Sequence, residues 1–132
     1  MALLYLDSSA LVKLVSKEPE SSALVEFVKE MPEGVSSGLA RVEVLRAVGR
    51  AGSKATMRRQ AEQVLNSIGL VKIDDRVLNR AADLEPTEMR SLDAIHLATA
   101  LSLGADLDAF VTYDQRQGEA AKRLGLRVVS PM

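Results

Sequence analysis

The chain has no cysteine and no tryptophan, a single histidine, and only two tyrosines and two phenylalanines in 132 residues. Without cysteine, neither a disulfide framework nor a thiolate metal site can form, and nothing requires an oxidising compartment. With one histidine there is no imidazole ligand set, so any metal must be held by oxygen. The scarcity of rings leaves few platforms on which unpaired bases could stack. Long apolar runs are also missing. No stretch approaches the roughly 18 residues of a membrane span, and "MALLYLDSS" has no basic leader region and loses its apolar run at Asp7. A cytoplasmic protein without membrane contact is the expectation. Finally, there is no excess of positive charge: 17 Lys and Arg against 18 Asp and Glu give a net charge of −1. Holding nucleic acid by bulk electrostatics is thereby excluded, and any such contact has to be local.

What is present is a hydrophobic content of 47%, enough for one domain over 1–132 with a substantial core. No repeat, low-complexity tract or linker interrupts it. Five short β-like runs, at 3–6, 34–38, 70–73, 109–113 and 126–129, alternate with helix-length segments at 9–17, Pro19 to Met31, 39–51, 53–68, 74–84, 91–103 and 115–124. Gly52 and Gly69 are natural stops between helices. Such alternation predicts an α/β protein with a mostly parallel sheet, because parallel strands need crossovers and the crossovers cover both faces. Ligands of such sheets bind beyond the carboxyl ends of the strands, at the switch point.

Two carboxylates fall where that chemistry belongs, and two more stand on helices. Asp7 follows the first strand and Asp114 the fourth, whereas Asp106 and Asp108 precede the fourth and belong to the opposite edge. Taken singly, Asp7 and Asp114 are explained as N-caps, Asp114 in a D-x-x-Q capping box with Gln117. Asp93 heads "SLDAIHLATAL", an apolar helix in which it is the only charge. Its attraction to the helix dipole amounts to about 0.3–1 kcal/mol, less than the several kcal/mol that burying an unpaired carboxylate costs, so Asp93 calls for a cation. Glu43 shares a helical stripe with Arg46 and Arg50, where an ordinary surface ion pair is the simplest reading. Carboxylates gathered in one cleft would repel one another without a cation, and all-oxygen ligation suits Mg²⁺ or Mn²⁺.

Arg41, Arg46, Arg50, Lys54, Arg58 and Arg59 form a local basic cluster with Glu43 as its only acid. A solvated helical face and a phosphate-guiding surface both account for it. His96, three residues after Asp93, can reach the same site, but a lone histidine in an apolar helix is more often packed or hydrogen-bonded.

Together, "LLYLDSSALVKL", "ARVEVLRA", "RSLDAIHLATAL" and "FVTYDQRQGEAA" resemble the PIN-domain ribonucleases, specifically the VapC toxins of type II toxin-antitoxin pairs. The resemblance runs from Leu3 to Pro131. It implies a three-layer α/β/α fold with a five-stranded sheet of order 3-2-1-4-5, which sets strands one and four side by side. It also implies that Asp7, Glu43, Asp93 and Asp114 form the acidic quartet that holds Mg²⁺ or Mn²⁺, with Ser8 and Thr112 in supporting hydroxyl positions. For Ser8 an N-cap, and for Thr112 simple β-propensity, are the plain alternatives.

The activity so implied is divalent-metal-dependent endoribonuclease cleavage of RNA by a toxin that a VapB-type antitoxin inhibits, in a homodimer. Arg46, Arg50 and Lys54 would meet either RNA or antitoxin. Two other readings stand beside it. One is a degenerate PIN fold acting as an interaction module. The other is a receiver-type Mg²⁺-binding signalling domain, which lacks support because serines follow Asp7 and "RVVSPM" contains no lysine.

Overall fold

The structure is a computed structural model and describes residues 2–30, 33–52 and 55–132. Its elements run β1 (Leu3–Leu6), α1 (Ser8–Val15), α2 (Ser21–Lys29), β2 (Glu33–Ser37), α3 (Leu39–Arg50), α4 (Ala55–Asn66), β3 (Gly69–Val71), α5 (Asp75–Asp83), α6 (Ser91–Ser102), β4 (Leu107–Val111), α7 (Gln115–Arg123) and β5 (Val128–Val129). The strands form one sheet in the order β3-β2-β1-β4-β5, and every pairing is parallel. Both expectations, the order and the class, hold.

Period-two alternation divides the core between the two faces of the sheet. Leu4, Leu6, Ala109 and Val111 pack with Ala10 and Leu11 of α1, Leu24 of α2, Val44 and Val48 of α3, and Ala61 and Leu65 of α4. Tyr5 and Phe110 point the other way and pack with Leu97 and Ala100 of α6 and with Ala120 and Ala121 of α7. Their rings stack at 5.1 Å with a 4° interplanar angle, which joins β1 to β4 on that face. The central strands carry side chains buried on both sides, as their unbroken apolar runs require.

Boundaries shift in ways that matter for the site. β4 starts at Leu107, behind a 3-10 turn over Gly104–Asp106, and ends at Val111. Asp114 therefore stands three residues beyond the strand rather than directly after it. Asp108 lies within β4 and pairs with Arg127 at 3.0 Å. Gly52, just past α3, has φ of 70°, a backbone conformation that glycine adopts without strain. Gly69, by contrast, begins β3. Two expected boundaries, at Met31 and Ser53, lie outside the described residues, as does Lys54.

Candidate active site

Asp7 occupies the turn between β1 and α1 as the N-cap of that helix. Its Oδ1 accepts from Ser9 Oγ at 2.6 Å and from the backbone N–H of Ala10 at 3.1 Å, and its Oδ2 accepts from Thr112 Oγ1 at 2.5 Å. Capping is thus real, but it is only one of three bonds on a side chain with 4% exposure. Burial pushes this carboxyl above its ordinary value. The donated bonds from Ser9 and Thr112 act in the opposite direction, because they favour the anion.

Glu43 does not make the surface ion pair with Arg46 or Arg50 that its helical stripe suggested. It turns inward from α3, and its Oε1 accepts from His96 Nε2 at 2.6 Å and from Ser8 Oγ at 2.5 Å. The reason is dielectric: two donors in the seam between helices are worth more to a carboxylate than a solvated guanidinium. Burial alone would raise this carboxyl, yet the bonds from His96 and Ser8 outweigh it and the net shift is downward. Ser8 is therefore a partner of Glu43, and the cap of α1 is Asp7. His96, 3% exposed, is packed and hydrogen-bonded, with its Nδ1 facing Tyr5 Oη at 2.7 Å.

Asp93 is less buried than its apolar helix implied. α6 is buried inward from Ala94, but Ser91 and Leu92 are exposed and the Asp93 side chain retains 28% of its exposure. Arg90 Nε lies 4.0 Å from Asp93 Oδ2. The Asp93 carboxyl is raised by burial first and by the charge of Asp114 second. Arg90 and His96 oppose this, and Glu43 adds to it.

Asp114 caps α7, with Oδ1 accepting from the N–H groups of Arg116 at 3.0 Å and Gln117 at 3.2 Å. The expected capping box is not closed, because the Asp114 N–H donates to Thr112 Oγ1, while Gln117 turns to α6 and its Nε2 donates to the Asp93 carbonyl at 3.3 Å. Gln117 is buried against α6, so its amide serves the neighbouring helix rather than its own N-terminus. Thr112 links the two halves: its hydroxyl donates to Asp7 and accepts from the Asp114 N–H at 3.0 Å.

An open groove of about 820 Å³ borders two of these acids, Glu43 and Asp114, and is also lined by Ser8, Arg46, Arg50, Leu92 and Val42. Arg46 and Arg50 thus face the site, whereas Arg58 is taken by Glu62 at 2.9 Å on the helix surface. On the far side of Asp93, a cavity of about 190 Å³ is lined by Arg90, Arg116, Gln117 and Arg123.

Sequence reasoning did not single out Ser9, Tyr5 or these arginines. The doublet after Asp7 held a signal: consecutive residues on a helix diverge by about 100°, so two hydroxyls there serve two different acceptors. Tyr5 is a polar-tipped ring in an aliphatic strand and needs a partner once buried.

The four acids offer only oxygen donors, and both nitrogens of His96 are engaged within the protein. Among the described residues, no three acidic or imidazole groups stand close enough to form a ready-made ligand cluster. The mutual repulsion felt at Asp93 is nevertheless what a hard divalent cation relieves, so the set fits such an ion by charge and donor type.

The profile of the PIN domain family matches residues 4–123. The chain belongs to the PIN-domain VapC ribonucleases. It is 50% identical to Ribonuclease VapC46 of Mycobacterium tuberculosis over 131 residues, covering 99% of each chain. It is 43% identical to Ribonuclease VapC35 of the same organism over 133 residues, covering 98% of this chain and 97% of that one. Among solved structures, VapBC2 from Rickettsia felis bound to a DNA fragment from its promoter superposes with a TM-score of 0.75 at 14% identity, covering 98% and 99% of the two chains. VapC20 of M. tuberculosis, a Sarcin-Ricin loop cleaving toxin, does so with a TM-score of 0.74 at 14% identity over 97% and 99%. At those identities the likeness concerns the PIN fold itself. No helix among the described residues is long and apolar enough to cross a membrane.

Proposed function

We propose that this VapC-family chain is the toxin of a type II toxin-antitoxin pair: an endoribonuclease that hydrolyses RNA phosphodiester bonds with Mg²⁺ or Mn²⁺ held by Asp7, Glu43, Asp93 and Asp114. The observation that carries the reading is the meeting of Asp93, Asp114 and Glu43 in one electrostatic environment, beside an Asp7 already fixed by three hydrogen bonds. The relatives named ribonucleases support it. When bound, the ion supplies stabilisation of the charge that develops on the phosphoryl oxygens. The protein supplies the rest. Ser9 and Thr112 hold the Asp7 carboxylate, and Ser8 and His96 hold that of Glu43. Glu43 stays ionised, so it can take up a proton from the attacking water. Arg46 and Arg50 lie along the groove and guide the phosphate backbone.

The same groove carries apolar wall residues, with Val42 56% and Leu92 48% exposed. A VapB-like antitoxin peptide laid across them would exclude RNA. Antitoxin complexes among the structural neighbours, such as VapBC2, support that partner. The toxin in this reading is a cytoplasmic homodimer. The test is cleavage of a defined RNA by purified protein. Activity should disappear with EDTA, return with Mg²⁺ or Mn²⁺, and be absent from Asp7→Asn. Undiminished cleavage in EDTA would overturn the metal assignment, and a folded, metal-loaded protein that cleaves no RNA would favour the interaction-module reading.

A further inference from the structure

The chain's only histidine is an unexpected occupant of this site. Its imidazole lies beneath the acids, not among them, and all its polar capacity is spent inside the protein. Tyr5 Oη, fully buried on β1, faces Nδ1 at 2.7 Å. The two rings meet edge to face with centroids 5.8 Å apart. Nε2 faces Glu43 Oε1 at 2.6 Å, and Ser8 Oγ, 3.3 Å from Nε2, donates to that same oxygen.

The proton positions follow from the partners. An ionised carboxylate only accepts, so Nε2 carries the hydrogen directed at Glu43, whether the ring is neutral or charged. Both donors converge on Oε1, and among the described residues no protein donor is recorded on Oε2. The carboxylate is thereby fixed with one oxygen tied down and the other free, on a side chain that lines the open groove. Glu43 comes from α3, so without this connection its long side chain would sample several rotamers at the groove edge.

We propose that His96, braced by Tyr5, is a positioning residue that holds Glu43 in its working orientation with Oε2 presented to the reacting centre. The assignment rests on the ribonuclease reading above for its catalytic meaning, and on geometry alone for the existence of the relay. Neither ring nitrogen is free to touch substrate or metal, so His96 acts through Glu43. Outer-shell partners of this kind are typically worth about 10–100-fold in activity or metal affinity.

The test uses the full chain with three variants. His96→Leu removes the donor, His96→Gln restores an N–H near the position of Nε2, and Tyr5→Phe removes the brace while leaving the imidazole in place. His96→Leu is expected to lower kcat about tenfold or more and to raise the Mn²⁺ concentration giving half-maximal rate by a similar factor. The second quantity does not move when a variant merely contains fewer folded molecules. His96→Gln should recover activity to within about threefold of the wild type, and Tyr5→Phe should fall between the two.

A readout without metal or activity runs alongside. With one histidine per chain, its ¹⁵N ring resonances are assigned by default. They should report a proton on Nε2, and Glu43→Gln should shift the Nε2 signal. Unmoved ring signals in Glu43→Gln would overturn the relay whatever the catalytic result. If His96→Leu fails to fold, Tyr5→Phe and His96→Gln still decide, and wild-type behaviour of Tyr5→Phe together with inactivity of a folded His96→Gln would overturn the proposal. A wild-type protein that cleaves no RNA would instead remove the ribonuclease reading, while the ring signals still judge the relay.

Discussion

The two halves of the acidic site are held by opposite means. Asp7 and Glu43 are fixed by several close donors: Ser9, Ala10 and Thr112 on one, Ser8 and His96 on the other. Asp93 and Asp114 have far less. Asp93 has a distant arginine at 4.0 Å, and Asp114 has the two backbone N–H groups of its cap. The first half is held in place by the protein itself, because neighbouring hydroxyls, an N–H and an imidazole fix both carboxylates. The second half adds repulsion to burial, since the Asp93 carboxyl is raised first by burial and then by the charge of Asp114. In the proposed function, one half provides a fixed frame and the other the repulsion that a cation would relieve.

The sharpest way to break this contrast is Asp93→Asn. Cleavage of a defined RNA should fall by at least about 100-fold, while a urea melt shows a protein as stable as the wild type or more so, because a repelled carboxylate has been neutralised. A folded Asp93→Asn protein with normal turnover would end the assignment. Next in size is Thr112→Val, which keeps the shape but removes the hydroxyl shared by the two halves. Leaving Asp7 Oδ2 buried without its donor should cost about 1–3 kcal/mol in the same melt. Asp114→Ala removes an N-cap and should cost about 1 kcal/mol. If Asp114→Ala proved far more damaging than that, the second half would be structural after all.

Acidity gives the smallest and most diagnostic effect, because Asp93 and Glu43 predict opposite signs. The Asp93 carboxyl is raised from 3.8, so the folded state binds its proton more tightly, and this group's contribution to stability declines as pH rises from about that value. The Glu43 carboxyl is lowered from 4.5, so its contribution is present above 4.5 and is lost as pH falls through the folded value. Urea midpoints measured across the acid range should therefore show Asp93→Asn gaining on the wild type as pH rises. Glu43→Gln should lose ground over the same range, and parallel curves for both would dissolve the distinction.

The fold was largely legible because its signals are local. Apolar runs such as "LLYL" mark strands buried on both sides, and Asp7, Asp74 and Asp114 each cap the helix that follows. Asp7, Asp93 and Asp114 could be placed for the same reason, each being tied to the start of a helix. What failed was whatever depends on a partner distant in the chain. The wheel of α3 offered Glu43 two arginines, but its real partner is His96 on α6, 53 residues away. A capping box can be read from four residues, yet Gln117 abandoned its own for a carbonyl 24 positions back. The fourth strand was placed two residues too late because "VTY" is as β-prone as "AFV". The chain in fact leaves the sheet at Thr112, whose hydroxyl is taken by Asp7 and by the Asp114 N–H.

The bond between Thr112 and Asp7 joins residues 105 positions apart. During synthesis Asp7 therefore emerges 105 residues ahead of the hydroxyl that secures it. A growing chain carries this carboxylate without that partner until β4 and the residue behind it have been made and have paired with β1.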